Sequence, residues 1–157
     1  MSRKIILGHN QYGKAEVRLV KITRDTKRHQ IEDLNVTSQL HGDFTRAHIT
    51  GDNGLVVPTD TQKNTAFAFA KSHGVASLEG YGLGLARHFV NDVDPVEGAR
   101  IELEEFGWRR AEIDGVEQDI GNKAAVDVEE VHREVLQVAE RRQAGAEVVE
   151  RELAAEL

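Results

Sequence analysis

The chain has 157 residues, of which 39% are hydrophobic and 30% are charged, a composition typical of one globular domain. Its formal net charge of -7 argues against a nucleic-acid partner, since phosphate binding relies on a basic surface. The sequence contains no cysteine, which excludes disulfides, thiolate metal sites and a thiol nucleophile.

Nothing in the sequence indicates secretion, a membrane or a bound metal. The apolar run within residues 1–8 is too short for a signal peptide, and no stretch approaches the length of a membrane span. The seven histidines show no paired ligand spacing such as His-x-His, so no metal site is predicted. We therefore expect a soluble, cytoplasmic protein.

Alternating patterns predict strands at both ends of the first 113 residues. The segments 15–23 and 34–40 alternate in the manner of strands and are separated by the polar residues 24–28. This pattern predicts an antiparallel hairpin. Alternation returns over residues 100–113, where we predict a strand pair or one bent strand with a bulge at Gly107.

Two helices are predicted between these strands. The first runs from about Asp60 to His73, and Thr59 and Gln62 stand at the capping-box spacing, in which hydroxyl and amide satisfy free backbone donors. The second begins at Ser77. Its apolar face is predicted to carry Leu78, Tyr81, Leu85 and Phe89.

The last thirty residues differ in composition from the rest of the chain. They are rich in Glu, Arg, Val and Ala, and the valines at 128, 131, 135 and 138 recur at spacings of three and four. This spacing predicts a C-terminal amphipathic helix, either a solvated tail or a partner-binding or coiled-coil segment. We thus predict an α+β domain over 1–123 and a helical tail over 124–157.

Two polar segments mark the boundaries of predicted elements, where sites are commonly built. Residues 8–14 read Gly-His-Asn-Gln-Tyr-Gly-Lys ahead of the first strand, and residues 58–65 read Pro-Thr-Asp-Thr-Gln-Lys-Asn-Thr at the first helix. They supply the amine of Lys14, the hydroxyl of Thr59 and the carboxylate of Asp60. By spacing alone, the same residues also suit a strand surface, a helix cap and a first-turn acid.

Both segments, together with Ile-Glu-Asp-Leu-Asn-Val-Thr-Ser-Gln-Leu-His-Gly-Asp-Phe at 31–44, closely resemble the first half of the urate oxidase (uricase) family. The resemblance covers roughly residues 4–110. It implies a single T-fold (tunnelling fold) unit, in which a four-stranded antiparallel sheet carries two helices on one face. Uricases have this unit twice per subunit, whereas this sequence has it once.

The resemblance also implies an activity and a site. Uricases oxidise urate with O2 to 5-hydroxyisourate and hydrogen peroxide in purine degradation, without a metal, flavin or other cofactor. In this sequence Lys14 and Thr59 would form the proton relay, and Thr59 and Asp60 would bind urate. Urate must lose protons before it passes electrons to oxygen, and a lysine amine relayed by a hydroxyl can accept them. Lys63, one turn beyond Asp60, is expected to be solvated.

Uricases complete this site with an arginine, a glutamine, an aromatic residue, an asparagine and a histidine of the second repeat. No corresponding segment occurs in this sequence, which therefore carries at most half of each site. A homo-oligomer or a second-repeat chain would supply the rest. Two alternatives remain open: a non-catalytic purine- or pterin-binding or structural T-fold assembly protein, and a truncated uricase product.

Overall fold

A computed structural model describes residues 6–108, 110, 112–117, 128–139 and 148–152, the last two ranges and residues 113 and 117 by their backbone alone. Three helices and seven strands occur in this part of the chain. In chain order they are β1 (Tyr12–Thr23), β2 (Gln30–Gly42), α1 (Thr45–Thr50), α2 (Thr59–His73), α3 (Leu78–Asp92), β3 (Val96–Trp108), β4 (Glu112–Ile113), β5 (Val116–Glu117), β6 (Val128–Ala139) and β7 (Val148–Glu152).

Five strands form one antiparallel sheet in the order β1-β2-β3-β6-β7, while β4 and β5 pair separately. Helices α2 and α3 pack on this sheet through β1, β3 and β6. An antiparallel sheet covered by helices confirms the predicted α+β class. The hairpin of β1 and β2 is also confirmed. The pairing of β3 with β6 shifts register between Gly107 and Trp108, but the extra residue is Glu129 of β6, so the bulge predicted in β3 at Gly107 is wrong.

The hydrophobic core lies between the sheet and the two long helices. From α3 it receives all four residues of the predicted apolar face, each at most 9% exposed. The sheet contributes alternate residues of its three first strands, such as Leu34, Val36 and Ile101, in keeping with the period of two. Gly84 allows α3 to approach α2 closely, since a Cβ atom there would lie 2.9 Å from the Phe69 ring.

The two long helices begin differently. Ser77, where the second helix was predicted to begin, caps α3, and its hydroxyl accepts a hydrogen bond from the Gly80 N–H at 3.0 Å. The capping box predicted for α2 is wrong, because Thr59 is already helical and the preceding Pro58 offers no side-chain cap. The Gln62 side chain is buried instead of capping the helix. A buried polar group needs a hydrogen-bond partner in the protein, whereas water can bind the free N–H groups of an exposed helix start.

Replacing Ser77 with alanine should lower the free energy of unfolding by about 1 kcal/mol, the usual loss for a helix cap. Thr59→Ala is the matched control at the start of α2, and it should change this energy by less than about 0.5 kcal/mol because Thr59 is exposed and caps nothing. Chemical denaturation of both variants measures the difference. Equal losses would contradict the assignment of the two helix starts.

The C-terminal helix predicted within 124–157 is wrong for the segments that the structure describes, since β6 and β7 are extended. Valine is β-branched and favours extended backbone, so these segments form strands although the spacing of their valines also fits a helix. Strand β6 pairs with most of the length of β3, whose backbone groups would otherwise form an open edge. Residues 118–127 lie outside the described part, and the division at residue 123 stays a prediction.

Helix α1 and the β4–β5 pair were not predicted. α1 contains no buried residue, so the sequence has no apolar periodicity from which this helix could be predicted. The two-residue strands β4 and β5 are likewise too short to show alternation. None of the described helices combines the length and apolarity needed to cross a membrane.

Candidate functional site

The two polar segments singled out in the sequence meet at the start of β1. The Tyr12 hydroxyl donates a hydrogen bond to the Val57 carbonyl at 3.1 Å and accepts one from the Val57 N–H at 2.8 Å. Lys14 follows Tyr12 by two residues, and Thr59 follows Val57 by two. A single side chain therefore joins the strand that carries Lys14 to the backbone that leads into α2.

Lys14 lies next to an irregularity in β1. It pairs with Ser38 of β2, but the next paired residue is Val17, so that two residues of β1 face only one of β2. Glu16 adopts a left-handed backbone with φ of 55°, and its N–H donates to the Thr37 hydroxyl at 3.1 Å. Such bulges redirect side chains and are common beside active sites. No glycine marks this bulge, and sequence reasoning missed it.

Thr59 and Asp60 are exposed in the first turn of α2. The first helical hydrogen bond of this end runs from the Gln62 N–H to the Pro58 carbonyl at 3.1 Å. The N–H groups of the three residues before Gln62 precede this bond and have no intrahelical acceptor. Free N–H groups and the helix dipole make such an end favourable for an anion.

The charges around this helix start come from Lys14, Asp60 and Lys63. The Lys63 ammonium lies 2.9 Å from Asp60 Oδ1, and the Lys63 side chain remains 36% exposed. The pKa of the Asp60 carboxyl is lowered below its ordinary 3.8, first by the hydrogen bond and charge of Lys63 and to a smaller extent by the charge of Lys14. Lys63 is thus the cation that pairs with Asp60 at this helix start.

Lys63→Met should raise the pKa of Asp60 toward its ordinary value, and Lys14→Met should raise it less, because Lys63 makes the larger contribution. A lowered carboxyl pKa adds stability above the unfolded pKa of about 3.9, and that stability is lost as the pH falls through the folded pKa. An NMR titration of the Asp60 carboxyl carbon measures both shifts. A larger effect of Lys14→Met would contradict this order.

Thr59 and Asp60 lie in the first turn of α2, and Tyr12 joins the backbone before this turn to the strand that carries Lys14. An amine, an exposed hydroxyl and a carboxylate there can bind a planar anion and move a proton, whereas no metal is required for either task. Among the described residues, no group of three or more His, Cys, Asp or Glu side chains is placed to hold a metal ion. The individual roles of Lys14, Thr59 and Asp60 stay predictions.

A second polar cluster lies further along the same strands. Asp33 is 2% exposed and accepts hydrogen bonds at 2.7 Å from both the Arg18 guanidinium and the Trp108 indole. The guanidinium also stacks on Phe106, with its central carbon 3.6 Å from the ring centroid. A buried carboxylate needs such partners, and we interpret this cluster as a structural tie between β1, β2 and β3.

Comparison with known protein families identifies one family for most of the chain. A family model described as Uricase matches residues 10–147. The match reaches beyond residue 110, where the recognisable motifs end, and includes β6. The region that pairs with β3 therefore belongs to the same family pattern as the polar segments.

Individual relatives agree with this match. The uricase of Arthrobacter globiformis is 59% identical over 107 residues, which cover 68% of this chain and 35% of that protein. The uricase of Schizosaccharomyces pombe is 38% identical over 117 residues, covering 73% of this chain and 40% of that protein. The chain therefore spans well under half the length of these curated relatives.

Solved structures show the same partial correspondence. The crystal structure of the Arthrobacter globiformis uricase superposes with a TM-score of 0.77 at 47% identity, over 89% of this chain and 46% of that chain. A uricase from Bacillus fastidious superposes with a TM-score of 0.73 at 22% identity, over 96% of this chain and 52% of that chain. The second likeness concerns the fold alone.

Proposed function

Because this chain belongs to the uricase family, we propose that it supplies one half of a site that oxidises urate with O2. The products are 5-hydroxyisourate and hydrogen peroxide, one water being consumed per urate. The observation that carries this proposal is the meeting of the Lys14 strand with the start of α2 through the Tyr12–Val57 contact. We place the reaction in the cytoplasm and assign it no cofactor.

Urate binds as an anion at the N-terminus of α2. The free N–H groups of the first turn face it, and Lys63 offsets the carboxylate of Asp60. With Lys63 holding Oδ1 of Asp60, the second carboxylate oxygen is left to accept a hydrogen bond from a ring N–H of the purine. Thr59 is exposed and contacts the ligand edge beside it.

Proton removal prepares urate for oxidation. A ring N–H of urate donates its proton to the Thr59 hydroxyl, which passes its own proton to the neutral amine of Lys14. The resulting urate dianion gives two electrons to O2, and hydrogen peroxide is completed by the proton that Lys14 has accepted and by one proton from solvent. Water then adds to the oxidised purine to form 5-hydroxyisourate. Lys14 returns its proton in the same cycle, so the chain ends unchanged.

A second T-fold unit must complete the site. Uricases draw their purine-clamping arginine and glutamine and their oxygen-side asparagine and histidine from that unit, and we propose the same source here, in a homo-oligomer or a partner chain. Each charge-assisted hydrogen bond to the ligand contributes about 1.5–3 kcal/mol. The present chain alone should therefore bind urate weakly and turn it over slowly.

Turnover measurements test this proposal. The chain is assayed alone, mixed with a polypeptide spanning the second half of the Arthrobacter globiformis uricase, and fused to that polypeptide, with size-exclusion chromatography to verify assembly. We expect loss of urate absorbance and formation of hydrogen peroxide in the assembled samples. An assembled sample that consumes no urate would contradict the proposal. Calorimetric titration with urate, xanthine and a pterin then identifies a binding protein without turnover.

A further inference from the structure

One peptide unit ahead of α2 is held from two sides by side chains. Val57 offers its N–H and its carbonyl to the Tyr12 hydroxyl, at 2.8 and 3.1 Å, and the same carbonyl lies 3.5 Å from the Gln62 side-chain nitrogen. The Gln62 side-chain oxygen accepts a hydrogen bond from the Ser38 hydroxyl at 2.9 Å. We name Ser38, Gln62, Val57 and Tyr12 the Val57 clasp.

The side chains of the clasp are themselves fixed by packing. Gln62 is 1% exposed and Ser38 5% exposed, so neither can exchange its partner for bulk water without opening the core. The Tyr12 ring packs edge-to-face on the buried Phe44 ring, with centroids 4.9 Å apart. The clasp thus forms a rigid connection from the sheet to the backbone in front of α2.

Both ends of the clasp adjoin the candidate relay. Ser38 is the cross-strand partner of Lys14 in β2, and Val57 precedes Thr59 by two residues. Residues 51–58 between α1 and α2 belong to no helix or strand, so regular backbone pairing does not fix their position. The hydrogen bonds of the clasp set the position of the Thr59 backbone relative to Lys14 instead.

We propose that Tyr12 and Gln62 are positioning residues of the candidate urate site, which set the separation of Lys14 and Thr59 through Val57. This inference rests on the proposed function. Proton transfer through a hydroxyl requires heavy atoms within about 2.6–3.2 Å of each other, so small displacements of the loop matter. Neither residue needs to touch urate for this effect.

Tyr12→Phe and Gln62→Met test the proposal in the assembled protein. Tyr12→Phe should lower kcat by about 10- to 100-fold, the range that a misplacement of about 1 Å can cause, and should raise the solvent deuterium isotope effect on kcat because proton transfer becomes slower. Gln62→Met should change both quantities in the same direction but less, since its bond to Val57 is the longer one.

Tyr81→Phe is the matched control. The Tyr81 hydroxyl is buried and donates to the Ala66 carbonyl at 3.0 Å, within α2 and away from residues 51–58. Its removal deletes the same chemical group and destabilises the core, but it should leave kcat and the isotope effect within about twofold of the original protein. Equal losses of kcat in the Tyr12 and Tyr81 variants would overturn the proposal and leave only a stabilising role.

Hydrogen exchange separates this proposal from the proposed function. In the chain alone, Tyr12→Phe should speed exchange of the Val57 N–H by about tenfold or more, because its acceptor is lost. Unchanged exchange would overturn the clasp whatever the activity. Faster exchange in the variant, together with an assembled original protein that does not consume urate, would retain the clasp and reject the urate reaction.

Discussion

Replacing Lys14 with methionine should lower the rate of urate oxidation by the assembled protein by about 10²- to 10⁴-fold, the usual contribution of a positioned proton acceptor. Methionine keeps an unbranched chain as far as Cε, with sulfur in place of Cδ, and lacks the amine. If Lys14 acts in proton transfer alone, KM stays nearly constant while kcat falls. Steady-state kinetics by urate absorbance measure both constants.

The matched control for this substitution is Lys21→Met on the same strand. The Lys21 ammonium forms a surface ion pair with Glu32 at 2.9 Å, and such pairs contribute no more than about 1 kcal/mol of stability. The kcat of the Lys21→Met protein should equal that of the unmodified protein. Equal losses in the Lys14 and Lys21 variants would show that the effect is one of charge or folding.

A double substitution tests whether Lys14 and Thr59 act as one relay. Thr59→Val removes the hydroxyl while keeping the shape of the side chain, and Thr61→Val is its control on the same exposed turn. Members of one catalytic unit lose activity non-additively. The Lys14→Met, Thr59→Val protein should therefore be no slower than the slower single variant. Multiplying losses would mean that the two residues act independently.

Gly13→Ala should be the most damaging small substitution near the site. A Cβ atom at residue 13 would lie 1.7 Å from the Ser38 carbonyl oxygen and 2.8 Å from the Gln39 Cα atom. Both are backbone atoms, which cannot rotate away, so β1 must separate from β2 beside Lys14. Overpacking costs about 1–3 kcal/mol, and we expect the upper end of this range in the free energy of unfolding.

Gly8→Ala provides the comparison for Gly13→Ala. Apart from Gly8 and its two chain neighbours, no atom of the described residues lies within 4 Å of a Cβ built on Gly8, which precedes β1. This variant should change the free energy of unfolding by less than about 0.5 kcal/mol and should leave turnover unaffected. Denaturation curves of the two variants measure the difference in their free energies of unfolding. A Gly13 variant as stable as the Gly8 variant would contradict the close approach of β1 and β2.

Elements with a local periodic signal could be predicted from the sequence. The hairpin, α2 and α3 follow from alternation or helical spacing. β6 could not, because its valines have helical spacing and its extended state depends on pairing with β3. That pairing joins residues between 20 (Trp108 and Val128) and 41 (Gly98 and Ala139) positions apart, so no local pattern in the sequence predicts it.

The candidate site could likewise be predicted only in part from the sequence. Lys14, Thr59 and Asp60 could be named because they belong to recognisable segments at the boundaries of elements. Gln62 was assigned to a cap because its local spacing fits one, yet its partner Ser38 lies 24 residues away on β2. The contacts of Tyr12 with Val57, 45 residues away, likewise cannot be predicted from the spacing of residues in the sequence. Contacts across the fold therefore decide which polar residues support the site.

The methyl resonance of Thr59 provides the decisive measurement. In the assembled protein with threonine methyl groups labelled, urate should shift the Thr59 signal in proportion to saturation, because Thr59 contacts the ligand. The signals of Thr23 and Thr26, at the far turn of the β1–β2 hairpin, should not move. Urate that binds without moving the Thr59 signal would contradict the assignment of Lys14, Thr59 and Asp60 to one half of a urate site.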